Sequence, residues 1–271
     1  MLSTHSPQIF SFSRNTMWQF NFLGVANGGQ LGTSSAVLLY QSEPQLLIDC
    51  GPNTLLRYME THDALPPAVY ISHLHIDHIG DLEALFYKAC FLKQENKIKI
   101  FVSAHLVAQL TLRIGNYPGQ LAEGGVNFWD TLQLVPVIEG FWWRNHYYKT
   151  YPTRHHQPNS AHALHLPGVF FYTGDTRPIP ELLHHYCCHG ETIFHDCGLE
   201  SNPSHSSAEE LLKEYQPNIL SRLIAYHYHN ENQAEQIRLL GIEVASPGSN
   251  IELPRNIRTS QRNNTPLKVI G

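Results

Sequence analysis

No uninterrupted apolar segment of this sequence approaches the ~18 residues that a membrane-spanning helix needs, so no contact with a bilayer is expected. The stretch from Met1 to Phe20 is polar and interrupted and lacks the apolar core of a secretory leader, which predicts a cytoplasmic location. The five cysteines, Cys50, Cys90, Cys187, Cys188 and Cys197, form no Cys-x-x-Cys pair and are odd in number. That is the usage of reduced thiols rather than of a disulfide framework. Positive charge is also in short supply. The 18 Lys and Arg residues stand against 23 Asp and Glu, a formal net charge of −5, which gives no electrostatic basis for tight nonspecific binding to nucleic acid. There is no internal repeat and no low-complexity linker. What the chain does have is histidine, 18 copies, as many as Lys and Arg together.

The 271 residues allow one large domain or two small ones. Short strands are expected over Phe20 to Leu23, Ser35 to Tyr40 and Gln45 to Asp49, then a short helix from Asn53 to Glu60 after Gly51-Pro52. Ala68 to Ser72 reads as an apolar strand, and Leu82, Leu85, Phe86 and Ala89 mark one face of a helix. A strand over Ile98 to Val102 precedes a helix through Leu106 and Leu110, and Gly115 to Gly125 reads as a glycine-rich loop. The aromatic stretch Leu132 to Tyr151 reads as strands serving the core or a dimer contact, with a base-stacking surface as the alternative. Val169 to Thr173 and Thr192 to His195 follow as buried strands, then a helix over Ser207 to Tyr215, a strand over Leu223 to Tyr226 and a helix over Glu231 to Leu240. The pattern predicts one α/β domain over 20–253, layered α-β-β-α. It leaves an N-terminal extension over 1–19 and, over 254–271, a polar tail expected to be flexible.

The sharpest chemical signal is His73-Leu74-His75-Ile76-Asp77-His78, placed where an apolar strand gives way to an amphipathic helix. In extended chain, residues two apart point the same way, so His73 and His75 can grip one cation together. Asp77 and His78 lie on the turn into the helix, where they can reach a second. Imidazoles with a carboxylate suit Zn²⁺, with Mn²⁺ or iron also compatible.

This H-x-H-x-D-H motif resembles that of the metallo-β-lactamase superfamily, and the likeness runs over roughly residues 20 to 253. It implies the four-layer α-β-β-α sandwich of that fold. It also implies a structural aspartate, Asp49, in Leu47-Ile48-Asp49-Cys50-Gly51. For the third histidine of the first metal, Tyr151-Pro152-Thr153-Arg154-His155-His156 supplies two candidates; the spacing to the following strand favours His155, and His156 is the alternative. Asp175, after Phe171-Tyr172-Thr173-Gly174, fits the bridging aspartate, and His227, after Leu223-Ile224-Ala225-Tyr226, fits the last histidine. The resemblance thus implies two divalent metal ions, one on His73, His75 and His155, the other on Asp77, His78 and His227, bridged by Asp175. Such a pair, about 3.5–4 Å apart, can clamp a phosphoryl group during in-line attack.

Three segments resemble the ribonuclease Z and phosphodiesterase branch: Gly174-Asp175-Thr176-Arg177-Pro178, Ile193-Phe194-His195-Asp196-Cys197 with Asp where that branch has Glu, and His205-Ser206-Ser207-Ala208. The branch implies that Asp77, His205 and Asp196 are catalytic, with His205 and Asp196 paired beside the metals and His205 serving the phosphate or the departing oxygen. Arg177 is expected either on a phosphate or in a salt bridge, and His229 either behind His227 or in solvent. His162, His165, His184, His185 and His189 stand at no ligand spacing. The basic arm with which ribonuclease Z grips tRNA has no counterpart here. The expectation is therefore a metal-dependent phosphodiesterase acting on a small or cyclic nucleotide-type phosphodiester rather than on tRNA. A ribonuclease Z-like endonuclease and a lactonase or thioesterase on the same scaffold are the alternatives. The likeness also implies a homodimer.

Overall fold

The computed structural model describes residues 17–92, 96–115 and 127–254. Most of the expected N-terminal extension, all but the first residue of the polar tail and most of the Gly115–Gly125 loop lie outside the described residues. The first sheet contains β1 (Trp18–Asn27), β2 (Thr33–Tyr40), β3 (Glu43–Ile48), β4 (Ala68–Ile71), β5 (Ile98–Ser103) and β6 (Leu132–Val137). The second contains β7 (Gly140–Trp143), β8 (His146–Pro152), β9 (His162–Leu166), β10 (Phe170–Tyr172), β11 (Thr192–Asp196), β12 (Leu223–Tyr226) and β13 (Glu243–Val244). A last strand, β14 (Asn250–Glu252), returns to the first sheet, giving the orders β14-β1-β2-β3-β4-β5-β6 and β13-β12-β11-β10-β9-β8-β7.

Alternation along the first sheet decides the layering. Phe20, Phe22, Leu38, Leu46, Ile48, Tyr70 and Phe101 pack toward the second sheet. Their neighbours Val37, Leu39, Leu47, Val69, Ile71, Ile100 and Val102 pack with Leu55, Leu82, Leu85, Phe86 and Leu110 of the helices Thr54–Met59, Leu82–Phe91 and Val107–Leu110. Leu183, Leu211, Ile219 and Ile237, from the helices Pro180–Tyr186, Ala208–Glu214, Pro217–Leu220 and Glu231–Leu239, join the core of the second sheet. The result is the α-β-β-α sandwich. Aromatic rings fill its middle, where Phe20 stacks on Phe194 at 4.0 Å and Phe101 on Phe141 at 4.0 Å. Much of the aromatic stretch is therefore core, although Trp142 stands 65% exposed on the edge strand β7.

β1 begins at Trp18, inside the expected extension, because that indole is buried and its carbonyl accepts the Leu253 amide at 3.0 Å. The helix over Ala208–Glu214 starts on a reciprocal cap. Ser207 Oγ accepts the Glu210 amide at 3.3 Å, and the Glu210 carboxylate accepts the Ser207 amide at 3.0 Å. Strands β3 to β6 run parallel, as do β10 to β13, so each set presents its carboxyl ends on one edge. Open parallel sheets place ligands there. Among the described residues no helix is long and apolar enough to cross a membrane.

Phe20 is fully buried between the sheets, and its loss leaves a cavity that ring neighbours on both sides cannot collapse into. Phe20→Ala should cost about 3–5 kcal/mol in urea unfolding. A loss under about 1 kcal/mol, the scale of a tolerated volume-conserving swap, would show that the two sheets do not depend on this contact.

Candidate metal centre

The carboxyl edges bring the singled-out residues together. β4 runs out into Ser72 and His73, and a four-residue helix, Ile76–Ile79, carries Asp77 and His78 back over the edge. From the second sheet come His155 after β8, Asp175 after β10, Asp196 at the end of β11 and His227 after β12. Asp175 is the centre of the arrangement. Its Oδ2 lies 3.3 Å from His227 Nε2, 3.4 Å from His78 Nε2, 3.6 Å from His73 Nε2, and 4.0 Å from both His155 Nε2 and His205 Nδ1. His75 Nδ1 approaches His155 Nε2 at 3.3 Å, and Asp77 Oδ2 faces His78 Nε2 at 3.5 Å and His227 Nε2 at 3.8 Å. Three overlapping groups have ligand atoms within 4.8 Å of one another: His73, His75, His155 and Asp175; Asp77, His78 and His227; and Asp175, His205 and His227.

These atoms fit cations better than they fit one another. His73 Nε2, His78 Nε2, His227 Nε2 and Asp175 Oδ1 are buried without hydrogen-bond partners, although buried polar atoms are rarely left so. Their outer nitrogens are held. His78 Nδ1 lies 2.8 Å from Asp49 Oδ2 and His155 Nδ1 lies 2.9 Å from the Ser204 carbonyl, while His73 Nδ1 lies 3.1 Å from Ser72 Oγ. An acceptor on one ring nitrogen fixes its proton and leaves the other lone pair free for a cation. Asp49 also accepts the Ser72 amide and hydroxyl, each at 2.8 Å.

Asp49 at φ 58° and His227 at φ 72° occupy left-handed backbone conformations, uncommon outside glycine although Asp and His adopt them more readily than most residues. The His227 turn is pinned by its amide on the Val25 carbonyl at 2.6 Å. Burial opposes a charge on Asp175, yet the His227, His78 and His73 imidazoles hold its carboxyl well below the usual carboxylate range. Burial, helped by the neighbouring His205 and His156 rings and opposed by Asp175 and the Ser204 carbonyl, pulls His155 down to about 4, which favours the neutral ring.

His205 lies beside this cluster rather than outside it. Its Nδ1 is 2.8 Å from Asp196 Oδ2, and its ring stacks on His227 at 4.8 Å. Burial works against the imidazolium, but the hydrogen bond and charge of Asp196 outweigh it and raise the His205 pKa. The Thr176 amide, 2.8 Å from Asp196 Oδ2, holds the carboxylate in place. Helical structure begins at Ala208, so His205 belongs to the preceding turn, where Asn202 Oδ1 accepts its amide at 2.9 Å.

The remaining candidates separate cleanly. His155 is buried in the cluster, whereas His156 turns outward at φ 54° and sets its ring against His75 at 4.8 Å. Arg177 is in an ion pair with Glu210. His229 is exposed, with its amide on Gln233 Oε1, and joins no group of metal-ligand atoms among the described residues. His162 and His165 are buried elsewhere, and His184, His185 and His189 join no group of metal-ligand atoms among the described residues. His195 is likewise structural, with Nε2 2.6 Å from the Tyr215 hydroxyl. Sequence reasoning missed the Ser204 carbonyl, for which side-chain identity carries no signal. It missed Asn202 too, although Asn-Pro-Ser is a recognisable turn signal.

Solved structures share this architecture. The metallo-β-lactamase fold protein YhfI from Bacillus subtilis aligns with a TM-score of 0.68 at 16% identity, over 87% of this chain and 99% of its own. A diphosphatase of the PhnP family aligns with a TM-score of 0.69 at 14% identity, over 87% and 97%. Yeast PDE1 aligns at 0.62 and 15%, over 89% and 100%. The chain has the metallo-β-lactamase fold. In sequence it is 34% identical to the Anti-Pycsar protein Apyc1 of Paenibacillus harenae over 186 residues, covering 65% of this chain and 75% of the relative. Against the protein of that name from Bacillus phage BSP38 it is 28% identical over 233 residues, covering 76% and 86%. The family model for Anti-Pycsar protein Apyc1 matches residues 18–247, the span that carries β1 to β13 and every residue of the centre, and the chain belongs to that family.

Proposed function

We propose that this hydrolase cleaves a small phosphodiester of the cyclic-nucleotide type at a centre holding two divalent metal ions, Zn²⁺ being the best match to its donors. The observation that carries the reading is the His205–Asp196 pair standing against Asp175, where five imidazoles surround one carboxylate oxygen. His73, His75 and His155 would hold one ion and Asp77, His78 and His227 the other, with Asp175 shared between them. When bound, such a pair supplies positive charge that polarises a phosphoryl group and favours deprotonation of an attacking water.

The chain's own residues account for the rest. Asp49, Ser72 and the Ser204 carbonyl orient the imidazoles before substrate arrives, so little reorganisation is left to the reaction. Asp196 occupies Nδ1 of His205 and favours its imidazolium, which leaves Nε2 as the donor. As the ester P–O bond breaks, the departing oxygen takes that proton, and His205 is left neutral on Asp196. An alkoxide leaves poorly without this help. A carbonyl substrate such as a thioester has less need of it, which favours the phosphodiester.

Purified protein should carry about two transition-metal ions per chain by elemental analysis, and Asp175→Ala should lose more than one of them, because it removes the shared ligand. One ion, retained by Asp175→Ala, would contradict the two-ion reading.

A second outcome concerns the proton. His205→Ala should lower kcat on a cyclic nucleotide by about 10²–10⁴, and much less on a p-nitrophenyl phosphodiester, whose phenolate departs unaided. Metal content must be measured alongside, since His205 borders the Asp175–His227 group. Equal losses on both substrates with metal content intact would assign His205 to phosphate binding instead.

A further inference from the structure

Thr176 directly follows Asp175 and is fully buried. Each of its polar groups is bonded to a segment that carries a residue of the site. Its amide donates to Asp196 Oδ2 at 2.8 Å, the same oxygen that meets His205 Nδ1. Its carbonyl accepts Ser206 Oγ at 2.8 Å, and Ser206 is the residue after His205. Its hydroxyl accepts the Arg154 amide at 3.0 Å, one residue before His155, and donates to the Arg177 carbonyl at 2.7 Å.

Neighbouring bonds reinforce the arrangement. Thr153 Oγ1 donates to the Asp175 carbonyl at 3.2 Å, and the Arg177 amide donates to the Arg154 carbonyl at 3.0 Å. The segments 153–154 and 175–177 are thus joined three times, with the Thr176 hydroxyl in the middle. His205 is held from both sides, by Asn202 on its own amide and by Ser206 on Thr176. The fold does not require this convergence. The pairing of β10 with β11 ends at Tyr172 and Phe194, and the helix after His205 has its own cap in Ser207 and Glu210. Thr176, Ser206 and Asp196 are all buried, so water cannot stand in for a bond that is lost.

We propose that Thr176 is a positioning residue, its amide and carbonyl setting the His205–Asp196 pair against Asp175 and its hydroxyl setting the loop that presents His155. The first role rests on the phosphodiesterase reading, in which His205 protonates the departing oxygen. The second needs only that His155 holds an ion.

Two variants separate these roles. Ser206→Ala removes the bond to the Thr176 carbonyl and leaves the Ser207 cap in place. Its kcat on a cyclic nucleotide should fall by about 10- to 100-fold at unchanged KM, since small misplacements of a reacting group are that costly. On a p-nitrophenyl phosphodiester the loss should stay below about threefold, with metal content unaltered. Thr176→Val keeps the shape of the side chain and removes the hydroxyl that serves Arg154. Competition of the metal-loaded full chain against a chromophoric chelator should show its Zn²⁺ Kd raised by about 10- to 100-fold, and Thr176→Ser should hold Zn²⁺ as the wild type does. Equal losses on the two substrates in Ser206→Ala, or none on either, overturn the proposal. So does wild-type Zn²⁺ affinity in Thr176→Val, or an affinity in Thr176→Ser as weak as that of Thr176→Val. Should Thr176→Val not fold, the substrate split in Ser206→Ala decides. A wild type that hydrolyses neither ester would remove the proposed function, and the chelator competition, which needs no turnover, would still decide the part played by the hydroxyl.

Discussion

Asp49 has a carboxylate with no access to solvent, and a buried charge must be met by donors on several sides or the fold does not keep it. Here the donors come from three places. Ser72 at the end of β4 gives its amide and hydroxyl, His78 of the following short helix gives Nδ1, and Tyr172 of the facing sheet stands 3.4 Å away with its hydroxyl. One side chain therefore closes the β3–β4 edge, sets the tautomer of a histidine at the centre and ties the two sheets together where Asp175 emerges. An apolar replacement would strand the Ser72 amide and the His78 nitrogen, each at the cost of a buried unpaired donor.

Neither sheet holds a complete site. His73, His75, Asp77 and His78 belong to the edge of the first, and His155, Asp175 and His227 to the edge of the second. Their approach within 4.8 Å exists only after the aromatic layer between the sheets has packed. Phe20 on Phe194 and Phe101 on Phe141 thus bear on chemistry that they never touch. The parallel strand sets make this work, because parallel neighbours deliver their carboxyl ends, and the loops that follow, to one side.

Much of this was legible in the sequence because the two periodicities differ so plainly. Val37 and Leu38, or Ile48 and Leu47, alternate between the two cores as a strand requires, and Leu82, Leu85, Phe86 and Ala89 repeat as a helix does. Dense histidine at a strand end marked the centre itself. The short strands β13 and β14 were not visible, since two or three residues hold no period and depend on partners far along the chain. Between the adjacent His155 and His156, the spacing to the following strand favoured His155 and left His156 as the alternative. Their separation is conformational: His156 turns outward through a left-handed φ and leaves His155 inside. The Ser204 carbonyl was invisible for a simpler reason: every residue carries one, and only the fold selects which carbonyl meets His155.

Five imidazoles around one buried carboxylate also carry a consequence for the life of the molecule. An arrangement whose nitrogen lone pairs face inward without partners is costly to assemble empty. If ions complete it as proposed, folding and ion uptake are one coupled equilibrium, since the unfolded chain offers no such cage. A ligand bound only by the folded state, free at a thousand times its Kd, adds about 4 kcal/mol, a sizeable share of a typical domain's net stability. The abundance of this protein in a cell would then follow the supply of metal, with scarcity acting through unfolding and proteolysis as well as through lost activity.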